Sequence, residues 1–265
     1  MKKFLLLVLA MSFLAVSCKK DNDEVEATPY DNITVSQTQE AFVLLTTATW
    51  CGYCGQWGIP TFEEAFAGDG NIDATRVNGL ALHYSSSDPM YLAMSNTLKS
   101  QYGIGGPPNL WIEFNNAYNL QPSGWKNAIV QRQAETSVTC GVGLYAEKVG
   151  DSFSVHVKVQ FFSSLTGTYN LAVYAIENNI VASQVDYGSG TTISNYNHMR
   201  VLRGEIVANN YFGGQMFSGT SPSEFTKSYS YTPDAGINSS NVHFVAVIYE
   251  MSGGVPVSAP NSNTY

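Results

Sequence analysis

A chain of 265 residues, 44% of them hydrophobic and 12% aromatic, has enough apolar surface to fill one large core or two ordinary ones. Only 13% of its residues are charged and the net charge is −8, so there is no basic cluster to displace counterions from a phosphate backbone; this argues against nucleic-acid binding. Ser, Thr, Asn, 23 Gly and 16 Tyr supply the polar surface instead, a profile that suits an extracytoplasmic β-rich protein.

Residues 1–17 read as a signal peptide. MKK is a positive n-region and FLLLVLAMSFLAV an apolar run too short to span a bilayer. LAVSC, ending at Cys18, resembles a lipoprotein box in which the cysteine becomes the lipidated N-terminus and anchors the chain to a membrane; the alternative is an ordinary signal cleaved nearby. KKDNDEVEATP has almost nothing to bury, so residues 18–34 are expected to form a tether. Lys19 stands where an inner-membrane retention Asp would be. The acidic run Asp21, Asp23, Glu24 resembles a surface-export signal, or is a solvated spacer.

From Ala41 the pattern alternates strand and helix. AFVLLTT and VNGLALHY are continuous apolar runs, as expected of strands buried on both faces. Between them WCGYCGQWGIPTFEEAFA predicts a helix opening near Cys51 and interrupted at Pro60. Asp88 is a candidate cap for a helix with Pro89 at its first position, running through MYLAMSNTLKSQ. LWIEF and AYNLQ predict a hairpin turning at Asn115-Asn116, and SGWKNAIVQRQAE a helix capped by Ser123.

The chemistry concentrates in TTATWCGYCGQW. Cysteines at i and i+3 on a first helical turn share a face and are close enough to bridge. Cys51 would sit where unpaired helix N–H groups and the macrodipole stabilise a thiolate, with Cys54 a turn further in as the resolving thiol. Such a pair can attack a disulfide, pass through a mixed disulfide and release it. A metal site is disfavoured, since there is no second CxxC and His83, His156, His198 and His243 are scattered along the chain. No cofactor is implied, and the oxidising compartment that follows a signal peptide favours disulfide chemistry.

A second motif, YGIGGPPNLWIE, resembles the loop of the thioredoxin superfamily that carries its cis-proline, with Tyr102, Gly103, Ile104, Gly106, Pro108 and Leu110 matching in order. The resemblance spans about residues 35–136 and implies a thioredoxin-like α/β domain in which Pro108 faces the CxxC. By the same resemblance Cys51, Cys54 and Pro108 carry catalysis, and Trp50, Gly52, Tyr53 and Pro107 line the substrate side. CGYC is similar to the motif of bacterial periplasmic disulfide isomerases. The departures are Leu45 in place of the family's buried Asp, Pro60 displaced by one residue from its kinking proline, and Pro107. Having no N–H, Pro107 cannot make one of the two backbone hydrogen bonds with which the family grips extended peptides.

From residue 137 the texture becomes all-β. GVGLYAEKV, SFSVHVKVQFF, YNLAVYAIE, MRVLRGEIV, FTKSYSYT and VHFVAVIYE predict an antiparallel sandwich of immunoglobulin-like kind, with about six to eight strands, over residues 137–265. The fold class expected is therefore α+β in two domains. Leader, Cys18, CGYC domain and sandwich together, with Asn197, His198, Arg200 and Arg203 in NHMRVLRGEI, resemble the outer-membrane protein twenty-eight family of lipoproteins. That resemblance implies an outer-membrane location, on the periplasmic or cell-surface face, and supplies no substrate.

Three features carry less. Asp69, Asn71 and Asp73 resemble the start of a calcium loop, but Ala74 and Leu80 stand where its Gly and Glu belong, which favours a surface turn. His83 lies near the active-site edge or is a satisfied, partly buried histidine. Cys140 is a buried small hydrophobe or pairs with another molecule. Two functions follow: thiol–disulfide exchange on protein substrates, or a binding and adhesion module for surface ligands in which Cys51 and Cys54 form a static disulfide.

Overall fold

The structure is a computed structural model that describes residues 27–113, 115–116, 122–207 and 210–265. The expected signal peptide, Cys18 and the expected hairpin arm AYNLQ lie outside the described residues. The protein is α+β: one mixed nine-stranded sheet with helices, a three-stranded antiparallel sheet and a separate two-stranded hairpin.

Strand β1 (Ala41–Thr47) is buried along its whole length because both of its faces are covered. Ala41, Val43 and Leu45 join a core with Phe62 and Trp125, while Phe42 and Leu44 join another with Met94 and Leu98. It pairs in parallel with β2 (Val77–His83) and antiparallel with β3 (Asn109–Ile112). Helix α1 (Ile59–Ala67) and helix α3 (Pro122–Gln133) supply Phe62 and Trp125 to one face, and helix α2 (Ala93–Gln101) supplies Met94 and Leu98 to the other.

Four local expectations are corrected. Pro60 does not interrupt its helix: residues 52–67 wind continuously, with a π turn over Cys54–Gly58 leading into α1. There the Ile59 N–H reaches back five residues to the Cys54 carbonyl, a widened turn that leads directly into Pro60, which has no N–H to donate. Asp88 does not cap α2, which starts at Ala93; its carboxylate accepts the Met90 N–H at 2.8 Å and the distant Thr49 N–H at 2.7 Å. Ser123 lies inside α3 rather than before it. Asn115-Asn116 are not the turn of the hairpin but its second strand, β4 (Asn115–Asn116), so the chain reverses just before them, with Glu113 at φ 51°.

Ten strands follow: β5 (Cys140–Val149), β6 (Ser152–Phe161), β7 (Thr166–Glu177), β8 (Ile180–Asp186), β9 (Thr191–His198), β10 (Val201–Glu205), β11 (Gly214–Thr220), β12 (Glu224–Tyr231), β13 (Val242–Ser252) and β14 (Val255–Thr264). The nine-stranded sheet runs β14-β13-β7-β10-β2-β1-β3-β4, with β11 also on β7. Its two halves meet where Val201 of β10 pairs in parallel with Ala81 of β2 and the Ala81 N–H donates to the Arg200 carbonyl at 2.8 Å. Period-two alternation lets β7 and β13 face two cores. Leu171, Val173, Phe244 and Ala246 pack on the sheet β12-β6-β5, whereas Tyr174, Ile176, Val245 and Val247 pack with Phe42, Leu80 and α2. Tyr30 and Ile33, within the stretch read as tether, also pack: the Tyr30 hydroxyl bonds Ser228 Oγ at 2.6 Å and Ile33 is buried.

The last strand, β14, is held by polar contacts. Asn78 Nδ2 donates to Glu40 at 2.6 Å and to Ser262 Oγ at 3.0 Å, and Asn261 accepts the Glu40 N–H at 3.1 Å. Burial pushes the Glu40 carboxyl up to about 7, against the opposing hydrogen bond from Asn78. The folded state therefore holds this proton more tightly than the unfolded chain, so its stabilising effect is full below about 4.5 and is lost as pH rises through 7. Glu40→Gln should remove that dependence: its urea midpoint relative to the parent should climb between pH 5 and pH 8, measured by fluorescence.

Candidate functional site

Between β1 and the helix, the chain turns at Ala48, Thr49 and Trp50, and the Cys51 N–H donates to the Ala48 carbonyl at 3.1 Å. Cys51 and Cys54 form a disulfide with Cα atoms 5.2 Å apart, as i and i+3 on a first helical turn allow. Cys54 is fully buried and Cys51 is 6% exposed. The Cys54 N–H points at Cys51 Sγ, 3.2 Å away. It is one of the helix-start donors that would stabilise a thiolate at Cys51 in the reduced protein.

The loop from Ile104 to Pro108 comes up beside this sulfur. The Pro107–Pro108 peptide is cis, and the Pro107 carbonyl oxygen lies 3.6 Å from Cys51 Sγ. The Pro108 ring sits against Gly58, where a Cβ would fall 2.4 Å from Pro108 Cβ, so only glycine fits. The fold thus brings together Cys51, Cys54, Pro107 and Pro108. Trp50 (46% exposed) and Tyr53 (56% exposed) turn their rings outward, Trp50 edge-on to Tyr84 and Tyr53 edge-on to Tyr187.

Sequence reasoning missed the β8–β9 hairpin, which straps the other side of the motif. The Val185 N–H donates to the Thr49 carbonyl at 2.8 Å and the Tyr187 N–H to the Gly52 carbonyl at 3.1 Å. Gln184, with no exposed surface, donates its amide to the Cys51 carbonyl at 3.0 Å and to the Ala48 carbonyl at 3.3 Å. Gly52 and Gly55 make this approach possible: a Cβ on Gly52 would lie 2.2 Å from the Tyr187 ring, and one on Gly55 2.4 Å from the Val185 carbonyl oxygen. The glycines of CGYCG were the available signal, since side chains are absent where another backbone must pass.

A buried polar cluster supports the motif from below. His83 is satisfied rather than free, with Nδ1 3.2 Å from both oxygens of Asp88, whose carboxylate holds the Thr49 N–H. Burial alone would raise Asp88; the contacts from His83, Thr49 and Met90 outweigh it and hold the carboxyl below its usual range. His198 packs edge-on to His83 at 5.3 Å between ring centroids, and burial, together with the neighbouring His83, holds it down to about 4. Leu45, where the thioredoxin superfamily has an acid, is buried among apolar side chains. Among the described residues no group of three or more His, Cys, Asp or Glu could hold a metal ion. Cys140 is buried, and burial pushes its thiol up to about 11, which keeps it protonated at neutral pH.

If Gly52 is set by the strap, Gly52→Ala should destabilise the protein by about 1–3 kcal/mol, the usual cost of overpacking. Adding Tyr187→Ala should restore most of that loss. Urea denaturation of both single variants and the double variant reads this coupling directly.

The comparisons with known proteins bear on the second part of the chain most. A family model described as Outer membrane protein Omp28 matches residues 95–261, from α2 into β14 and including the Pro107–Pro108 loop but not the two cysteines of the disulfide. Among solved structures, the chain is similar to the crystal structure of a domain of the outer membrane lipoprotein Omp28 from Porphyromonas gingivalis. That likeness has 17% identity, covers 48% of this chain and 87% of that one, and has a TM-score of 0.32. The comparison with curated proteins finds no match. The family match covers more than half of the sequence, and the chain belongs to the Omp28 family of outer-membrane proteins.

Proposed function

We propose that this lipoprotein, anchored through lipid on Cys18, exchanges thiols and disulfides through Cys51 and Cys54. The observation that carries the reading is the disulfide at a helix start with the Pro107 carbonyl 3.6 Å from Cys51 Sγ. In the reduced protein the Cys51 thiolate attacks a substrate disulfide, and Cys54 then attacks the mixed disulfide and releases the second thiol. The parallel β1–β2 pair, the antiparallel β3 and helices on both faces support a thioredoxin-like half over about residues 35–136. The π turn fits the same reading, because a widened turn adds one residue ahead of Pro60, the displacement seen in the sequence. The sheet β12-β6-β5 packed on β7 and β13 supports an immunoglobulin-like sandwich as the second half.

The second reading is a surface binding protein whose disulfide is a staple. The near-complete burial of Cys51 under the strap favours it, as do Leu45 and Pro107. A reduction potential separates the two, since a value below about −300 mV marks a bond the thiol pool does not reduce.

Reduced protein should consume the neutral disulfide 2-hydroxyethyl disulfide and end with Cys51 joined to Cys54, read by alkylation and mass spectrometry. Cys51→Ser should react at the uncatalysed rate. A parent rate no higher than that of Cys51→Ser removes the exchange reading and leaves the staple.

A further inference from the structure

We propose that a cleft beside the disulfide seats the anionic part of a small disulfide or thiol substrate, with Lys99 as its cation. The proposal rests on the exchange reading and names the substrate class for it: low-molecular-weight disulfides that carry a carboxylate near the sulfur.

The cleft lies between the segment after β2 and helix α2. Its volume is about 600 Å³, and Tyr84, Ser85, Tyr91, Asn96, Lys99 and Ile104 are among the residues that line it. That volume falls in the range of small-molecule sites. Lys99 is half-buried, with its ammonium 4.3 Å from the centroid of the Tyr84 ring. Arg76, Lys126, Arg132, Lys158, Arg200 and Arg203 each hold a carboxylate. Among the described residues none lies within ion-pair reach of Lys99. Lys148 and Lys227 also lack a carboxylate but are exposed. Among the described residues Lys99 is a half-buried cation without one, in a chain of net charge −8, and it faces a cleft lined with hydroxyls that suits an anion from outside.

Two walls connect this cleft to the sulfur. Tyr84 meets the Trp50 ring at 6.3 Å between centroids, one residue before Cys51. Its hydroxyl lies 3.7 Å from where a Gly106 Cβ would stand. Ile104 lines the cleft, and three residues later the Pro107 carbonyl reaches Cys51 Sγ. An extended peptide finds fewer main-chain partners around the motif. Pro107 offers no N–H, and the Thr49 and Gly52 carbonyls are already taken by β8 and Tyr187. A small molecule held by its carboxylate needs none of these main-chain groups.

The reaction balances with the protein dithiol as reductant. The Cys51 thiolate bonds to one sulfur of the substrate disulfide, whose S–S bond breaks and releases one thiolate, which takes up a proton. Deprotonated Cys54 then attacks Cys51 Sγ, releasing the second thiol and leaving the Cys51–Cys54 disulfide. Two electrons pass from protein to substrate. Thiols of the same class reverse the sequence.

The test uses three small disulfides of different charge on the reduced protein: 3,3′-dithiodipropionate (dianion), 2-hydroxyethyl disulfide (neutral) and cystamine (dication). Each rate is divided by that of free dithiothreitol with the same disulfide, which removes intrinsic reactivity. The dianion should react faster than the neutral compound, despite the acidic chain. Lys99→Gln should lower the dianion-to-neutral ratio about tenfold, the loss of one charge-assisted contact, and Lys99→Arg should keep it. A ratio unchanged in Lys99→Gln, with the neutral disulfide still turned over, overturns the cleft and spares the exchange reading. Rates at the Cys51→Ser level for all three compounds remove both.

Discussion

Main-chain pairing between β2 and β10 is the constraint on which the architecture depends. A buried backbone donor must find an acceptor. The parallel β1–β2 unit would otherwise end in an open edge at β2, and β10 fills it at Ala81 through Val201 and the Arg200 carbonyl. Because β10 also pairs antiparallel with β7, this junction joins the first part of the chain to β7, β13 and β14 in one sheet. It also decides where the β8–β9 hairpin goes. β8 and β9 lie between β7 and β10 in the chain, so a strand order that puts β10 beside β2 delivers the hairpin to the C-terminal end of β1, where the disulfide is.

The same junction accounts for the buried polar cluster. His83 closes β2 and His198 closes β9, two residues before the Arg200 carbonyl bonds to β2. The two rings meet because the chain runs from His198 straight into the residues that pair with β2, not because either sequence stretch resembles a ligand motif. Asp88 then joins the cluster to the Thr49 N–H, two residues before Cys51. The motif loop is held from β2 on one side and from β8 on the other, so its geometry depends on both parts of the chain.

What could be read in the sequence followed the strength of the apolar pattern. β1, β2, β7 and β13 were legible because their runs are long, β-prone and buried. β8–β9, β11 and β14 were not, for a physical reason. β9 is mostly exposed, and β14 buries Asn261 and Ser262, whose partners, Glu40, Thr38, Asn78 and the Cys140 carbonyl, are remote in the chain. Asp88 shows the opposite failure. Its position before a proline fits a helix cap, but a Thr49 donor 39 residues away competes for the same oxygens. At the site, CGYC and the proline loop were legible as motifs; the strap was not, because its contacts are made to carbonyl groups that every residue has.

The strap also bears on how the disulfide is reached. Four hydrogen bonds hold it to residues 48–52: two from the Val185 and Tyr187 N–H groups and two from the Gln184 amide. At about 0.5–1.5 kcal/mol each, opening it costs roughly 2–6 kcal/mol before the Tyr53–Tyr187 contact is counted. The open form is then at most a few per cent of the population. Exchange by way of the open form would be slowed by that factor, whereas approach from the Trp50 and Tyr84 side leaves all four bonds in place. On the exchange proposal, a small reactant arriving along the cleft would avoid that slowing. On that reading Pro107, which has no N–H, and the helix start covered by β8 and Tyr187 both remove main-chain partners that an extended chain would need.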